Sequence, residues 1–443
     1  MSPSSQLPPV APAFIASANA RTATFAQLHQ LIDEHAAAVG ALAPAEHGYA
    51  TFAPDFAHEQ LEREEYKEAH QPGYASPTRR GDLAGWIIPA KDLSDVAGLA
   101  TSNGSIHRRY RAATTDEFIA NYTSRGALIT GKTLAPELGL SAYTEPVGME
   151  WPINPRFTGR RTPGGSSGGA AVMVARGLVR AAHASDGGGS IRVPAAACGL
   201  YGFKPAHNTS HANPVAQGFV AGTLADAYHL AAAIPGIGGV GALPLHGRPL
   251  RIAVVTAPVH AEVEVAEHML VAVDAAALAL SRAGHEVFDA HAPYGSSPFA
   301  AFSDILALRS APIRGEASPL VDWLRERGRS ISDIRKSEAV ETFMSVAHRL
   351  IRGFEGADLV LSPTLAFDPP EIGYFSSMSP EEDFHAQTTW TPWATMFNMS
   401  GGAAMSIPVD VVDHDRVGVH LGAGAGSAAD IFRAAITIDQ LNH

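Results

Sequence analysis

Cysteine is almost absent from this chain of 443 residues: Cys198 is the only one. A single thiol forms no intramolecular disulfide and supplies no cysteine-based metal site. Lysine is nearly as scarce. Lys67, Lys91, Lys132, Lys204 and Lys336 are the only five, so arginine supplies most of the 32 basic residues. Arginine does not lose its proton in a protein, whereas a buried lysine can be brought near neutrality. A lysine base therefore has five candidate positions. Positive charge is in deficit, with 44 acidic residues leaving a formal net charge of −12. That argues against nucleic acid or an anionic membrane as the main partner. No run of about 18 apolar residues, the length that spans a bilayer, occurs. The start, MSPSSQLPPVAPAF, lacks the basic residues and the apolar run of a secretory signal. A cytoplasmic, reducing compartment is the expectation.

What is present concentrates between Gly164 and Ser190, in GGSSGGAAVMVARGLVRAAHASDGGGS. Two glycine-serine clusters flank an alanine-rich stretch. Each cluster sets hydroxyls beside unobstructed backbone N–H groups. Acyl transfer needs a nucleophilic oxygen, a proton relay and donors aimed at a developing oxyanion. The window lacks only a base, which must come from elsewhere in the chain.

The hydrophobic fraction of 46% and charged fraction of 17% describe a core-rich globular chain. Residues 1–20, rich in Pro, Ser and Ala, read as a flexible tail. Residue spacing predicts helices over 25–42, 58–70, 115–125, 169–177 and 263–283, a mainly helical 298–354 and a closing C-terminal helix. Short apolar runs predict strands at 86–88, 127–133 and 178–185, and in LRIAVVTAP, HEVFDAHAP, DLVLSPT, MSIPVDVV and VGVHLGA. The segment TEPVGMEWPINPRFTGRRTPGG reads as irregular structure packed at a site. Residues 234–249, rich in Gly and Pro, mark the best internal boundary. After them, strand, helix and strand make a βαβ-like unit. The alternation of elements favours one large α/β fold.

Within DGGGSIRVPA, a strand entering three glycines would set Ser190 on a tight turn. The amides of Gly187, Gly188, Gly189 and Ser190 could then form a nest for negative charge. The same residues suit a plain glycine turn; a phosphate loop is disfavoured, because no GxxxxGK[ST] pattern occurs. Ser166 in GGSSGG could pass a proton from a nucleophile to a distant base. It could equally cap the helix that follows.

The ordered segments around these residues resemble the amidase signature family. They are the PAKD loop with GLATSNGS, GALITGKTLAPE, NPRFTGRRTPGGSSGG, SDGGGSIRVPAAACGLYGFKP, ADLVLSPT and FNMSGGAAMSIPVD. The resemblance runs from about residue 25 to the C-terminus. It implies an α/β fold with a large central mixed β-sheet covered by helices on both faces. It also implies a single domain over 21–443, with a catalytic core at about 80–235. By the same resemblance the chain hydrolyses carboxylic amides through a Ser–cis-Ser–Lys triad and an acyl-enzyme. Ser190 would be the nucleophile, Ser166 the cis-serine, Lys91 the base, and the amides of residues 187–190 the oxyanion hole. No metal or other cofactor is implied.

Rival candidates have weaker patterns. Lys132 competes as base, but it also suits a strand-end lysine that binds a carbonyl or carboxylate; Lys204 reads as structural. His183, His207 and His211 could serve a Ser-His-Asp triad, but none lies in an orienting motif, and Ser190 is not in GxSxG. No HExxH occurs. Cys198 reads as a small core residue, and Asp186 and Arg192 as residues that orient the loop. Trp151, Trp390, Trp393 and Phe397 are candidate pocket walls.

Compared with many members of the amidase signature family, the chain is compact after KPAHNTS and over 250–360, which by the resemblance implies a shorter or more open channel. The DGGGS form is similar to that of relatives resembling 6-aminohexanoate cyclic-dimer hydrolases. The expected partner is a small-molecule amide, and a homodimer is compatible with the chain. Two other functions stay open: an amidotransferase A-type subunit that frees ammonia from glutamine, and a non-catalytic binding protein of the same fold.

Overall fold

A computed structural model describes residues 23–234 and 247–442. The predicted tail, and most of the predicted boundary at 234–249, lie outside the described residues. Strands β1 (Tyr49–Phe52), β2 (Ala90–Lys91) and β3 (Gly131–Thr133) form a small sheet in the order β1-β3-β2. A larger sheet contains β4 (Ala181–Asp186), β5 (Tyr201–Lys204), β6 (Ala216–Ala221), β7 (Arg251–Val254), β8 (Glu286–Asp289), β9 (Leu359–Pro363), β10 (Ala404–Val411) and β11 (His414–Ala423). Its order is β8-β7-β9-β11-β10-β5-β6-β4. The pairs β8–β7 and β7–β9 are parallel and the other pairs antiparallel, so the sheet is mixed. Strands from both sides of residues 235–246 share it.

Successive strand residues point to opposite faces, and both faces are covered. Ile252, Val254, Leu359 and Leu361 pack with Met269, Val273, Ile431 and Phe432. Ala253 and Val360 pack instead with Phe302, Phe343 and Phe397. One helical layer thus contains Glu267–Arg282 and Ala428–Asp439, and the other contains Ser297–Ser310 and Asp333–Gly353. The helix Phe25–Gly40 starts at a capping box in which Thr24 and Gln27 satisfy each other's orphan groups. The site's helix, Gly168–Ala175, is built from small residues because it lies against backbone: a Cβ on Gly169 would come within 2.4 Å of the Leu134 amide.

Element bounds move for identifiable reasons. The helix expected from His58 begins at Pro54, where proline suits the first turn. The helix expected from Val263 begins at Glu267, because the Ala266 amide is held by the Ala366 carbonyl. The strand expected at 86–88 is not formed and a two-residue strand, Ala90–Lys91, lies beyond it, whereas the strand expected at 127–133 shrinks to Gly131–Thr133. Upstream they are joined only by a bridge between Ile87 and Leu128. Pro89 has no N–H for the ladder and interrupts it.

Candidate active site

Strand β4 delivers Asp186 to the turn Gly187–Ser190, which leads into the short helix Arg192–Ala197. Gly189 sits at φ +117°, and a Cβ there would lie 2.8 Å from that of Ala394. Only glycine fits this bend without strain.

The turn is fastened from within. Asp186 and Arg192 are both fully buried and pair twice, Nε to Oδ2 and Nη2 to Oδ1, each at 2.9 Å. The carboxylate also accepts the Gly189 amide at 2.7 Å, the Ile191 amide at 3.1 Å and Asn398 Nδ2 at 2.8 Å. Arg192 donates further to the Ala394 carbonyl, Asn398 Oδ1 and His420 Nε2. A buried ion pair is tolerable when every lone pair and proton is used in this way. Burial alone would raise the Asp186 pKa; the Arg192 charge and hydrogen bonds overcome it and hold the carboxyl far below the usual range. Asp186 and Arg192 thus form the frame of the loop.

Lys91, at the end of β2, is fully buried. Its Nζ lies 2.7 Å from Ser166 Oγ, 3.1 Å from Ser185 Oγ and 3.3 Å from the Ser185 carbonyl. Burial lowers its pKa from 10.5 to about 7, against the opposing pull of the Asp186 charge. The Lys91 amide is held by His183 Nδ1 at 3.1 Å, and His183 Nε2 meets Gln217 Oε1 at 2.9 Å. The peptide bond Gly165–Ser166 is cis.

Ser166, Ser185, Gly187, Gly188 and Ser190 line one cleft of about 450 Å³. Ser190 Oγ makes no hydrogen bond to protein among the described residues, and the amides of Gly187, Gly188 and Ser190 have no protein acceptor there. The expected set of four amides loses one member: Gly189 N–H is committed to Asp186.

The other expected candidates sit elsewhere. Lys132 is buried with Nζ at 3.0 Å from Thr101 Oγ1 and 3.6 Å from Asp92 Oδ1, so it is a paired structural lysine. Lys204 donates to the Pro205 carbonyl and approaches His207 Nδ1. His183 supports Lys91, His211 is exposed, and none of the three histidines bonds Ser190. The aromatic assignment is corrected: Trp390, Trp393 and Phe397 are buried in the core, and Trp151 donates to the Pro146 carbonyl. Leu138, Leu140, Phe299, Phe302, Leu306 and Phe384 supply the apolar wall instead. Cys198 is buried and its thiol is pushed up to about 12, as a core residue.

Ser185 and Asn398 were missed. Strand alternation offered the signal for Ser185: it lies two residues beyond His183, on the same strand face, so one lysine can touch both. Nothing local marks Asn398, whose contacts are more than 180 residues away in sequence.

A family model described as Amidase matches residues 36–225 and 243–430. The chain is 32% identical over 350 residues to the putative amidase AmiB2 of Mycobacterium tuberculosis (strain ATCC 25618 / H37Rv), covering 74% of this chain and 75% of that protein. It is 30% identical over 358 residues to a putative amidase of Synechocystis sp., covering 74% and 68%. Its fold is similar to that of 6-aminohexanoate cyclic dimer hydrolase, with a TM-score of 0.79 at 23% identity over 94% of this chain and 93% of the other. A bacterial aryl acylamidase gives a TM-score of 0.78 at 22% identity, over 94% and 95%.

Proposed function

The chain belongs to the Amidase family and hydrolyses amides, and from that premise we propose that Ser190, Ser166 and Lys91 carry the reaction. The observation behind the proposal is the 2.7 Å contact between a fully buried lysine and Ser166 Oγ, in a cleft that Ser190 also lines. A neutral lysine amine has two N–H groups and one lone pair. The carbonyl and hydroxyl of Ser185 accept the two protons, which leaves the lone pair for the Ser166 hydroxyl. Ser185 is thus a positioning residue.

In the proposed reaction Lys91 draws a proton through Ser166 as Ser190 Oγ bonds to the amide carbon. Three amides, those of Gly187, Gly188 and Ser190, face the developing oxyanion. The C–N bond then breaks as the relay returns the proton to the leaving nitrogen. Water attacks the acyl-enzyme by the same route, giving a carboxylic acid and restoring Ser190. The site needs small, unhindered substrate groups near the glycine turn and an apolar acyl portion along Phe299 and Phe302. The described residues contain no helix long and apolar enough to cross a membrane. A buried, unpaired Cys198 suits the reducing cytoplasm that we propose as its compartment.

A panel of linear aliphatic and aryl carboxamides, scored by ammonia or amine release, tests this reading. Turnover should fall about a thousandfold or more in Ser190→Ala. Equal turnover by the variant would overturn it.

A further inference from the structure

Among the described residues, the cleft wall contains one side chain with a fixed charge. Arg309 lines the cleft together with Ser310 and Ile313, and no Asp, Glu, Lys or His among the described residues lines it with them. The rest of the wall is glycine, hydroxyl, amide and apolar. Arg309 belongs to the last turn of the helix Ser297–Ser310, where a cation complements the helix dipole. That role alone would be met by any outward orientation. It does not require a place on the cleft wall.

Three nearby arginines differ from it. Arg108 bonds Glu137 Oε1 and the carbonyls of Arg314 and Glu316. Arg325 bonds the Gly315 carbonyl, and Arg329 bonds the carbonyls of Ala311 and Ile313. These three hold the turn after the helix in place. Arg309 makes no hydrogen bond or ion pair with protein among the described residues, and it is exposed. Its five donors are free to take an acceptor, and a planar guanidinium matches a carboxylate in a two-point contact.

Resting on the amidase reading, we infer that this enzyme prefers amides whose acyl portion ends in a carboxylate, with Arg309 as the residue that binds that end. The reacting amide lies at Ser190, the apolar stem runs along Phe302 and Leu306, and the anionic end meets Arg309. Because no carboxylate among the described residues lines the wall, an anionic substrate meets no like charge from them. An ammonium-ended substrate meets the like charge of Arg309 and no opposite charge among the described residues of the wall.

The test uses a homologous series of linear carboxamides ending in carboxylate, hydroxyl or ammonium, assayed near neutral pH with the full-length enzyme. The expected order of kcat/KM is carboxylate, hydroxyl, ammonium, with about a tenfold step between the first two, equivalent to about 1.4 kcal/mol. The step should shrink with added salt, because the cation is exposed. Arg309→Gln should bring the carboxylate-to-hydroxyl ratio to about one, and Arg309→Glu should invert it. Calorimetric binding of the same compounds to Ser190→Ala gives the ratio without turnover. No preference for the carboxylate by either readout, a preference that survives Arg309→Gln, or failure of all three compounds to bind each overturns the inference. Hydrolysis of the hydroxyl compound that is lost in Ser190→Ala would leave the amidase reading standing even then.

Discussion

Replacing Lys91 with methionine isolates the base. Methionine keeps the length of the side chain and removes its amine, so the buried volume is nearly conserved. Three contacts at Ser166 and Ser185 disappear with it. The magnitude follows from the pKa of about 7 that burial imposes on Lys91. An ordinary lysine near pH 7 is neutral in about one molecule per several thousand, whereas this one is neutral in about half. Burial therefore raises the population of competent base by about three orders of magnitude. General-base assistance itself contributes about 10²–10⁴-fold. Wild-type kcat/KM should rise about tenfold per pH unit below neutrality and level off above it, because the active form is the deprotonated one. Lys91→Met should be about 10²–10⁴-fold slower and lack that inflection. Ammonia release across pH 5 to 10, with thermal melts to confirm folding, measures both. A variant within tenfold of wild type, or a wild-type inflection near pH 10, would refute the reasoning.

Other outcomes follow from the same contacts. Ser166→Ala removes the proposed relay between Lys91 and Ser190 and should lower kcat about 10²–10⁴-fold in steady-state assays, with little change in melting temperature; retention of a tenth of the activity would contradict a relay. Lys132→Met leaves Asp92 buried without its cation and should destabilise the fold by about 3–5 kcal/mol in urea titrations. Asp92→Asn on that background should restore part of the loss, whereas strict additivity would deny the pairing. Burial also holds Lys204 down to about 7. The unfolded chain then binds more protons than the native one between about pH 7 and 10.5, so stability rises with pH across that window. Urea midpoints at pH 7 and 9 should show a smaller gain in Lys204→Met than in wild type; an equal gain would contradict the depressed pKa.

Elements with local signals were legible in the chain. The apolar run LVLSP is a central strand, buried throughout. The small-residue stretch after GGSSGG is a buried helix, and DGGGS is a strand-to-helix turn as its glycines imply. The meeting of Lys91 and Ser166 followed from resemblance, since 75 residues separate them and no periodicity links them. The cleft wall was misread because tryptophan is a large apolar side chain first. Trp390 and Trp393 satisfy their indole N–H groups on the carbonyls of Phe367 and Ala257, and so can be buried in the core. The walls come instead from helices Ser297–Ser310 and Pro380–Trp390, which only the tertiary fold brings to the glycine turn. The assignment of Gly189 to the oxyanion site failed for a related reason. Counting consecutive amides does not reveal that the Asp186 side chain folds back and takes one of them.

Covalent labelling of the nucleophile tests the central claim most directly. Enzyme treated with a serine-reactive phosphonate, digested and sequenced by mass spectrometry, should carry one adduct, on Ser190. Ser190→Ala should carry none, and Lys91→Met should be labelled far more slowly than wild type. An adduct on another residue, or undiminished labelling of Ser190→Ala, would contradict the account.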